Sequence, residues 1–550
     1  MKKTILIFFI LNTLLFSSSE FVTSNGKISF KYNEKYNQMT RFNGDMGNLI
    51  IDIDNIEIGV YYKGENYLLS DYIVSKNFIA KTNIFETVAK LPYGNIRTTY
   101  IPSMIDRNSF YIINNYQIKK NTPLEFLYFF NMTDKNGIIE YKKTKDYYKY
   151  NDNIYIKNLK NSMEGYIIPV SDVETVKLKK IDGLSIKYRD QRIVMSSRVR
   201  LSDKENSDIV QIRYGNIPNV LSFESSKRLI SLEKKYWMNW LQPISLIVDT
   251  KTKKIIERFF IYLKTSTDGF NYYTNIGLRE RSSEKAMLYT AMAFIKYGYF
   301  EDAKQILNKL IEREDEISYL NKIKLTFEDI QEEYIYFMYL KKSDDIIFFN
   351  KHRKKIQNRI DKIIKNVEKD INKKNILEKG YEFKVYYYTY NLLKLYRDIS
   401  GEKNYIYVEN KLKKYLTMNF ILDDGIKKYI SDEETTYSKW EYLIFYSDLE
   451  TKKLIDKLYD GSVFNRYSYF SFEKNVDVEK NLSLIGGLYF NNLLKFGDMN
   501  LLQLNEDIEK NSMKIPNKIY LMGERRYEAS GIDIYLISKY LSTVYDRSEQ

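Results

Sequence analysis

The sequence contains no cysteine and only one histidine in 550 residues. Without cysteine the chain can form no disulfide, thiolate nucleophile or thiolate metal site. One histidine, His352, is too few for a zinc site or for a histidine-based catalytic triad. It lies in the charged stretch 350–355, which predicts a solvated position on a helix. Any catalysis must therefore depend on carboxylates, tyrosines or lysines.

Long apolar runs are also scarce, and the one at residues 5–16 follows Lys2 and Lys3 and precedes three serines. This order is typical of a secretory signal peptide, which we place at residues 1–19. The run is too short for an ordinary membrane span, and no second run follows. An N-terminal membrane anchor is the alternative interpretation. We expect a protein exported to the periplasm or the extracellular space, with no transmembrane segment after cleavage.

The chain has no continuous basic stripe, although its formal net charge is +14. Its 86 lysines and arginines are interleaved with 72 acidic residues, as in 368–370. A nucleic-acid partner needs clustered positive charge. The high content of Lys, Ile, Asn and Tyr is typical of an AT-rich genome. We therefore expect no nucleic-acid partner.

The periodicity of the sequence changes near residue 225. Before it, short segments rich in Ile, Val, Tyr and Phe, such as 58–62, 110–116 and 209–214, alternate with turn-forming clusters. Such spacing is typical of antiparallel strands in a sandwich with one packed face and one solvated face. We predict a β-sandwich domain at residues 20–224 and a linker helix at 225–250.

Beyond residue 250 the apolar residues recur at three- and four-residue spacing in about twelve segments. Twelve helices in antiparallel pairs predict a closed (α/α)6 toroid of six helical hairpins at residues 251–550. The alternative is an open helical solenoid. No fixed repeat length is visible, which argues against a regular array.

One segment in the middle of the chain, 271–283, combines tyrosines with an adjacent Arg-acid pair, Arg279 and Glu280. A guanidinium fork and a carboxylate can together bind vicinal hydroxyls of a sugar. Tyr272 and Tyr273 are placed to stack on sugar faces. The segment precedes an apolar helical run, so we expect it at the mouth of a helix pair.

Acidic residues in loops between the predicted helices are candidates for a general acid and a general base. Glu378 lies in the segment 375–383, where Glu382 is its rival. Glu524 lies in the segment 521–530, before the last helical run. Asp329 and Glu332 are three residues apart on a predicted helix and share one face, and one of them is a candidate for the funnel of the toroid.

These segments, in this order, resemble three motifs of glycoside hydrolase family 15, the glucoamylase-like enzymes. The segment at Arg279 resembles an aromatic-rich stretch that ends in Trp-x-Arg-Asp. The loop at Glu378 resembles Leu-Trp-Glu-Glu, with Leu377 in place of the tryptophan. The loop at Glu524 resembles a Pro-Glu-Gln-like turn before the last barrel helix, although its neighbours here are Gly523 and Arg525. The stretch at Asp329 resembles an inner-helix segment of the family.

The resemblance implies the fold and activity of a six-hairpin glycosidase, namely an inverting hydrolase of α-linked glucans or oligosaccharides. Glu378 would be the general acid and Glu524 the general base. Arg279, Glu280 and Tyr273 would hold the nonreducing-end sugar. Asp329 would also contact the substrate, and no metal or other cofactor would be needed.

Other functions remain open at the level of the sequence. The same fold could serve a non-catalytic glycan-binding or scaffold protein, and an open helix array could serve as an interaction module. A phosphorylase on a similar barrel, with phosphate in place of water, is a further alternative. The sugar, its linkage and the oligomeric state are not predicted.

Overall fold

The computed structural model describes most residues between 20 and 426 and two short strands near the C-terminus. The described residues are 20–33, 35–44, 52–118, 124–132, 139–143, 147–150, 153–169, 179–180, 185–188, 191–199, 206–215, 225–246, 257, 260–261, 263–265, 273–275, 280–281, 284–316, 327–373, 379–419, 421–422, 425–426, 519–521 and 525–527. The strands up to residue 214 and the helix after them belong to one compact unit, the sandwich unit. The helices between Glu284 and Asn419 belong to a second, the helical unit.

Eighteen strands of the sandwich unit form two nine-stranded antiparallel sheets. The strands are β1 Glu20–Ser24, β2 Ser29–Asn33, β3 Gln38–Asn43, β4 Ile53–Tyr62, β5 Glu65–Leu68, β6 Ile73–Phe78, β7 Phe85–Leu91, β8 Gly94–Pro102, β9 Ser109–Ile118, β10 Leu124–Met132, β11 Ile139–Lys143, β12 Tyr148–Tyr150, β13 Ile154–Asn158, β14 Met163–Pro169, β15 Lys179–Lys180, β16 Ser185–Tyr188, β17 Gln191–Val199 and β18 Ser207–Tyr214. The first sheet has the order β1-β2-β3-β4-β10-β17-β14-β15, with β5 also paired to β4. The second has the order β16-β11-β12-β13-β18-β9-β8-β7-β6. The predicted N-terminal antiparallel β-sandwich is therefore confirmed.

Aromatic side chains from both sheets fill the space between them. Phe30 of β2 meets Phe110 of β9 with ring centroids 5.0 Å apart, and Tyr32 of β2 meets Phe85 of β7 at 4.9 Å. These four residues belong to one buried cluster. Burying a side chain of this size contributes about 1.5–3 kcal/mol. The alternation seen in the sequence thus places one face of each strand in a common core.

A buried polar network also joins the two sheets around Asp208 of β18, which is 0% exposed. Its carboxylate accepts hydrogen bonds from the Tyr128 hydroxyl at 2.6 Å, the Asn158 amide at 2.7 Å and the Ser197 hydroxyl at 2.8 Å. Tyr128 and Ser197 belong to the first sheet, whereas Asp208 and Asn158 belong to the second. Burial raises the pKa of Tyr128 well above its usual value, so the phenol remains a donor. A fully bonded network of this kind fixes one alignment of the sheets.

Helix α1, Ser226–Trp240, follows the sandwich and packs on it. Ser225 caps its N-terminus by accepting from the Arg228 amide, which satisfies one otherwise unpaired helix donor. Trp237 is 0% exposed and donates from its indole nitrogen to Asn83 at 2.8 Å. Glu233 accepts from loop 103–106 of the sandwich, including the Met104 amide at 3.1 Å. The helix is thus attached by buried polar bonds as well as apolar contacts.

The helical unit contains six described helices and adjoins several short hairpins in the sequence. The helices are α2 Glu284–Lys296, α3 Phe300–Glu316, α4 Phe327–Ser343, α5 Ile346–Lys373, α6 Lys379–Ser400 and α7 Ile406–Asn419. The short paired strands are β19 Tyr273–Asn275 with β20 Glu280–Arg281, β21 Ile421–Leu422 with β22 Gly425–Ile426, and β23 Ile519–Leu521 with β24 Arg525–Tyr527. Within the described residues, no helix is long and apolar enough to cross a membrane.

Side-chain pairs give the directions of these helices. Glu333 of α4 meets Arg359 of α5, whereas Tyr336, further along α4, meets Phe348, earlier in α5, so the two helices are antiparallel. Arg397 with Glu409, and Tyr386 with Tyr415, give the same relation for α6 and α7. The pairs α4–α5 and α6–α7 are thus two helical hairpins.

Helices α4 and α6, in contrast, run parallel. Tyr334 meets Tyr388 at 5.3 Å, and Phe337 meets Tyr396 at 5.4 Å, so the paired positions ascend along both helices. Helix α2 packs against α4 as well as α3. The described helices therefore form three hairpins in two layers, with α2, α4 and α6 in the first layer and α3, α5 and α7 in the second.

This arrangement supplies half of the hairpins that the predicted (α/α)6 toroid requires. Of the six other predicted helices, one was predicted at 251–265, where only residues 257, 260–261 and 263–265 are described. The other five were predicted at 436–447, 449–459, 481–496, 498–512 and 528–543, and these five segments lie outside the described residues. The structure therefore gives a β-sandwich followed by a two-layered helical region. Closure of the helices into a ring stays a prediction.

His352 corrects one sequence-based expectation. It was predicted to be solvated because of its charged neighbours, but it is only 8% exposed and its ring lies 5.0 Å from that of Phe348. Helix α5 is amphipathic, and the buried residues Phe348, Ile356 and Ile360 recur at four- and eight-residue spacing around His352. The position on the apolar stripe determines its burial, and the adjacent lysines point elsewhere.

Candidate active site

Three of the predicted site residues, Arg279, Glu378 and Glu524, lie outside the described residues. Three others lie in described elements, although their side chains are not described. Tyr273 is in β19, Glu280 is in β20 and Asp329 is in the first turn of α4. The assignment of these six residues to catalysis and substrate binding therefore stays a prediction.

Backbone pairing joins the tyrosine-containing part of the segment 271–283 to the part that contains Glu280. Strands β19 and β20 pair antiparallel, with Tyr273 opposite Arg281 and Asn275 opposite Glu280. Tyr273 and Glu280 are thus in adjacent strands of one short hairpin. The sequence was expected to place this tyrosine close to the Arg-acid pair, and the strand pairing is consistent with that expectation.

The parallel helices α4 and α6 define one end of the first layer. From the contact between Tyr334 and Tyr388, α4 extends back seven residues to Phe327 and α6 extends back nine residues to Lys379. At 1.5 Å per residue, these distances are roughly 10 and 13 Å, so the two helices begin at similar levels. Asp329 is the third residue of α4, and Glu378 directly precedes α6 in the sequence.

A buried ionic cluster fixes the beginning of α4 against α5. The Arg359 guanidinium lies 2.5 Å from Glu333 and 3.2 Å from Glu332. Arg359 is 8% exposed, and burial lowers its pKa to about 10, which leaves it charged at neutral pH. Glu332, one of two candidates for the funnel, therefore contacts the second layer of helices. The cluster holds α4 in position and leaves other residues of its first turns for binding.

Gln331 is a fully buried polar residue near the start of α4. It is 0% exposed, and neither its amide nitrogen nor its amide oxygen has a hydrogen-bond partner in the part of the chain that the structure describes. Leaving such groups unpaired costs about 1–3 kcal/mol. Natural proteins tolerate that cost most often at functional sites. Gln331 is therefore a candidate binding residue.

The position of Gln331 on α4 supports this interpretation. At 3.6 residues per turn, Gln331 lies about 60° around the helix from Tyr334, which contacts α6. It lies about 150° from the midpoint of Glu332 and Glu333, which contact α5. Gln331 thus faces away from the second layer. Sequence reasoning missed it, although its four-residue spacing from buried Ile335 marks it as a polar residue on an apolar face.

Gln331 and Tyr334, near this end of the first layer, are neutral hydrogen-bonding groups. Burial raises the pKa of Tyr334 to about 12, so its phenol remains a donor at neutral pH. The Gln331 amide offers both a donor and an acceptor. Among the described residues, no group of three or more acidic or histidine side chains could hold a metal ion. The chemistry here suits the hydroxyl groups of a neutral ligand.

The sequence matches no protein-family model and none of the curated proteins. The chain is similar to several solved structures. A putative kojibiose phosphorylase from the human microbiome has a TM-score of 0.52 and 12% identity, and the match covers 96% of this chain and 87% of the other. The family GH92 alpha-mannosidase from Bacteroides thetaiotaomicron has a TM-score of 0.35 and 9% identity, covering 95% and 81%. The alpha-L-rhamnosidase from Dictyoglumus thermophilum has a TM-score of 0.33 and 8% identity, covering 96% and 73%.

Only the first of these similarities has a TM-score above 0.5, and at 12% identity it shows a shared fold alone. It extends over 96% of the chain and so includes both the sandwich unit and the helical unit. The three proteins are described as a phosphorylase, a mannosidase and a rhamnosidase. The more specific resemblance to family 15 therefore stays a prediction.

Proposed function

We propose that this protein cleaves glycosidic bonds, and that its helical unit closes into the six-hairpin ring of a glycosidase. The observation that carries the proposal is the fold shared with a putative kojibiose phosphorylase over 96% of the chain. Two further features support it. The three described hairpins have the layered, parallel arrangement that such a ring requires, and the first layer presents Gln331, a buried amide suited to sugar hydroxyls.

The proposed reaction is an inverting hydrolysis of an α-linked glucan or oligosaccharide. Glu378 donates a proton to the glycosidic oxygen as the bond to the anomeric carbon breaks. Glu524 removes a proton from a water molecule, whose oxygen attacks that carbon from the opposite face. An inverting enzyme holds its two carboxyl groups roughly 6.5–9.5 Å apart so that this water fits. No cofactor takes part.

The remaining predicted residues hold the sugar. Arg279 and Glu280 bind its hydroxyls in a charge-assisted manner, and Tyr273 stacks on its face. Gln331 contacts the substrate from the first layer of helices. Asp329, which lies about 160° around α4 from Gln331, contacts the substrate from the N-terminal end of that helix. We further propose that residues 1–19 direct the protein out of the cytoplasm, where it meets its carbohydrate substrate.

Phosphorolysis is the second candidate, because the similar protein with the highest TM-score reported above is described as a phosphorylase. Inorganic phosphate would then attack the anomeric carbon in place of water, and the product would be a sugar phosphate. Phosphate is already an anion at neutral pH, so this reaction needs the acid Glu378 but no general base. Glu524 thus distinguishes the two reactions.

Product analysis tests both candidates. The mature chain is incubated with disaccharides and α-glucans, with and without inorganic phosphate, and free sugar and sugar phosphate are measured. We expect free sugar without phosphate, and its loss in both Glu378→Gln and Glu524→Gln. The neighbouring variant Glu382→Gln is the matched control and should remain active.

Other outcomes would change the proposal in defined ways. Sugar phosphate that forms only with phosphate, and persists in Glu524→Gln, would replace the hydrolase with a phosphorylase. Loss of activity in Glu382→Gln, with Glu378→Gln still active, would transfer the acid role to Glu382. Binding of glycans without any product from any substrate would indicate a non-catalytic glycan-binding protein.

A further inference from the structure

Four tyrosines form a connected cluster at one end of the sandwich, which we call the tyrosine cluster. The rings of Tyr62 and Tyr93 are stacked at 4.0 Å with an interplanar angle of 25°. The ring of Tyr67 meets Tyr93 edge-on at 5.2 Å, and Tyr72 meets Tyr67 at 6.0 Å. The four rings thus form a continuous aromatic surface.

The strand connections explain why these residues meet. Strand β4 ends at Tyr62, and the turn at Lys63 and Gly64 leads into β5, which places Tyr67 opposite Val60 and on the same face as Tyr62. A 3-10 helix, Leu69–Tyr72, then carries the chain to β6 of the second sheet. Tyr93 lies in the turn between β7 and β8 of that sheet. The cluster therefore spans the open end of the sandwich, where both sheets contribute rings.

The tyrosine cluster combines apolar ring faces with polar groups at its rim. Tyr62 is only 3% exposed, whereas Tyr67, Tyr72 and Tyr93 are half-buried and pack partly against the core. The Tyr67 hydroxyl donates to the exposed Glu65 carboxylate. The buried Tyr93 hydroxyl has no hydrogen-bond partner among the described residues. The cluster thus contains a buried hydroxyl that no described residue hydrogen-bonds.

The charges around the cluster indicate what kind of ligand fits. Glu65 and Asp71 are exposed acids, and Lys63 is an exposed base with its ammonium 5.6 Å from the centre of the Tyr62 ring. With two acids and one base at its rim, the surface does not favour a phosphate or another anion. Tyrosine offers a flat apolar face and a hydroxyl that donates and accepts. A pyranose, with C–H groups on its faces and hydroxyls on its edge, matches both features.

We propose that the tyrosine cluster is a glycan-binding surface in the sandwich unit, formed by residues other than those proposed for catalysis and substrate binding above. The half-exposed rings of Tyr67, Tyr72 and Tyr93 stack on pyranose faces, and the Glu65 carboxylate accepts from sugar hydroxyls. The ligand class is a neutral oligosaccharide or polysaccharide. The binding surface does not depend on whether the proposed catalysis occurs.

Affinity electrophoresis of the full mature chain tests this proposal. Native gels contain soluble starch, dextran, xylan or galactomannan, and every protein carries Glu378→Gln so that no polysaccharide is degraded. The double variant Tyr67→Ala/Tyr72→Ala is compared with the unaltered tyrosines. Tyr36→Ala is the matched control, because Tyr36 is a 56% exposed tyrosine of the same unit outside the cluster. A second double variant, Tyr67→Phe/Tyr72→Phe, retains both rings and tests whether binding follows the rings even if the alanine variant fails to fold.

We expect at least one polysaccharide to retard the chain with intact tyrosines, and the alanine double variant to weaken that binding by about ten-fold. Tyr36→Ala and the phenylalanine variant should retain most of the retardation. Equal retardation of the alanine variant, or none of the unaltered chain by any polysaccharide, would overturn the proposal. Tyrosine-dependent retardation here, together with no product from the chain with Glu378 intact in the product analysis, would remove the proposed catalysis and leave this surface intact.

Discussion

Asp208 in the sandwich unit and Gln331 in the helical unit are equally buried polar residues that differ in their hydrogen bonding. In the sandwich, the Asp208 carboxylate accepts bonds from Tyr128, Asn158 and Ser197, which come from both sheets. In the helical unit, the equally buried Gln331 has no partner for either amide atom among the described residues. A bonded polar group stabilises one alignment of its elements, whereas an unbonded one lowers stability. We therefore assign a structural role to Asp208 and a binding role to Gln331.

Removal of the Asp208 carboxylate should have the largest effect on stability. Asp208→Ala leaves several buried donors without an acceptor, and each such donor costs about 1–3 kcal/mol. We expect a loss of about 3–5 kcal/mol in the unfolding free energy of the sandwich unit. Urea unfolding followed by hydrogen exchange in β10 and β18 measures it. Asp208→Asn retains one acceptor and should lose less, and equal losses for the two variants would contradict the network.

The charge cluster of the helical unit should be the next most sensitive position. Arg359→Met leaves the buried carboxylate of Glu333 without its cation, which costs about 3 kcal/mol. Arg353→Met, in the same helix, breaks the exposed pair with Glu402 and an exposed contact of the guanidinium with the Phe349 ring, and should cost about 1 kcal/mol. Thermal unfolding of the two variants gives the comparison. Similar unfolding temperatures for the two variants would show that the buried ion pairs of Arg359 add no more stability than an exposed pair.

Substitutions of Gln331 and Gln357 compare a buried amide that has no hydrogen-bond partner among the described residues with an amide that is hydrogen-bonded. Gln331→Met removes an unpaired amide at similar volume, so we expect unfolding free energy to rise by about 1 kcal/mol while catalytic efficiency falls. Gln357→Met is the control, since Gln357 donates to Tyr405 at 2.5 Å and accepts from Tyr396. It should lower stability by about 1 kcal/mol. Stabilisation by Gln331→Met with unchanged activity would remove Gln331 from the binding site.

The smallest expected effect is a pH dependence at the junction of α1 with the sandwich. Burial raises the pKa of Glu233 above its usual 4.5, so the folded state binds this proton more tightly than the unfolded state. Its contribution to stability is therefore greatest below pH 4.5 and is lost as pH rises through the raised pKa. Urea unfolding between pH 4 and pH 8 should show this decline. The decline should be smaller in Glu233→Gln, and an identical slope in that variant would contradict the assignment.

Local patterns in the sequence predict elements well where a periodic signal is strong. The alternation before residue 225 indicates the sandwich, and the segment 346–369 predicts α5, which the structure extends to Lys373. Hydrogen bonds between residues distant in sequence are not predicted in this way. Tyr128 and Asp208 are 80 residues apart, and no local period relates them. The site resemblance gives an order of residues along the chain but no distances. His352 shows that charged neighbours are a weaker guide than position on the apolar stripe.

The anomeric configuration of the first product tests the central claim most directly. Proton NMR follows the early hydrolysis of a short α-linked glucan by the mature chain, with Glu378→Gln as the inactive control. Inverting cleavage by Glu378 and Glu524 predicts that the β-anomer appears first and that the variant releases nothing. An α-anomer as first product, or equal release by the variant, would contradict the account.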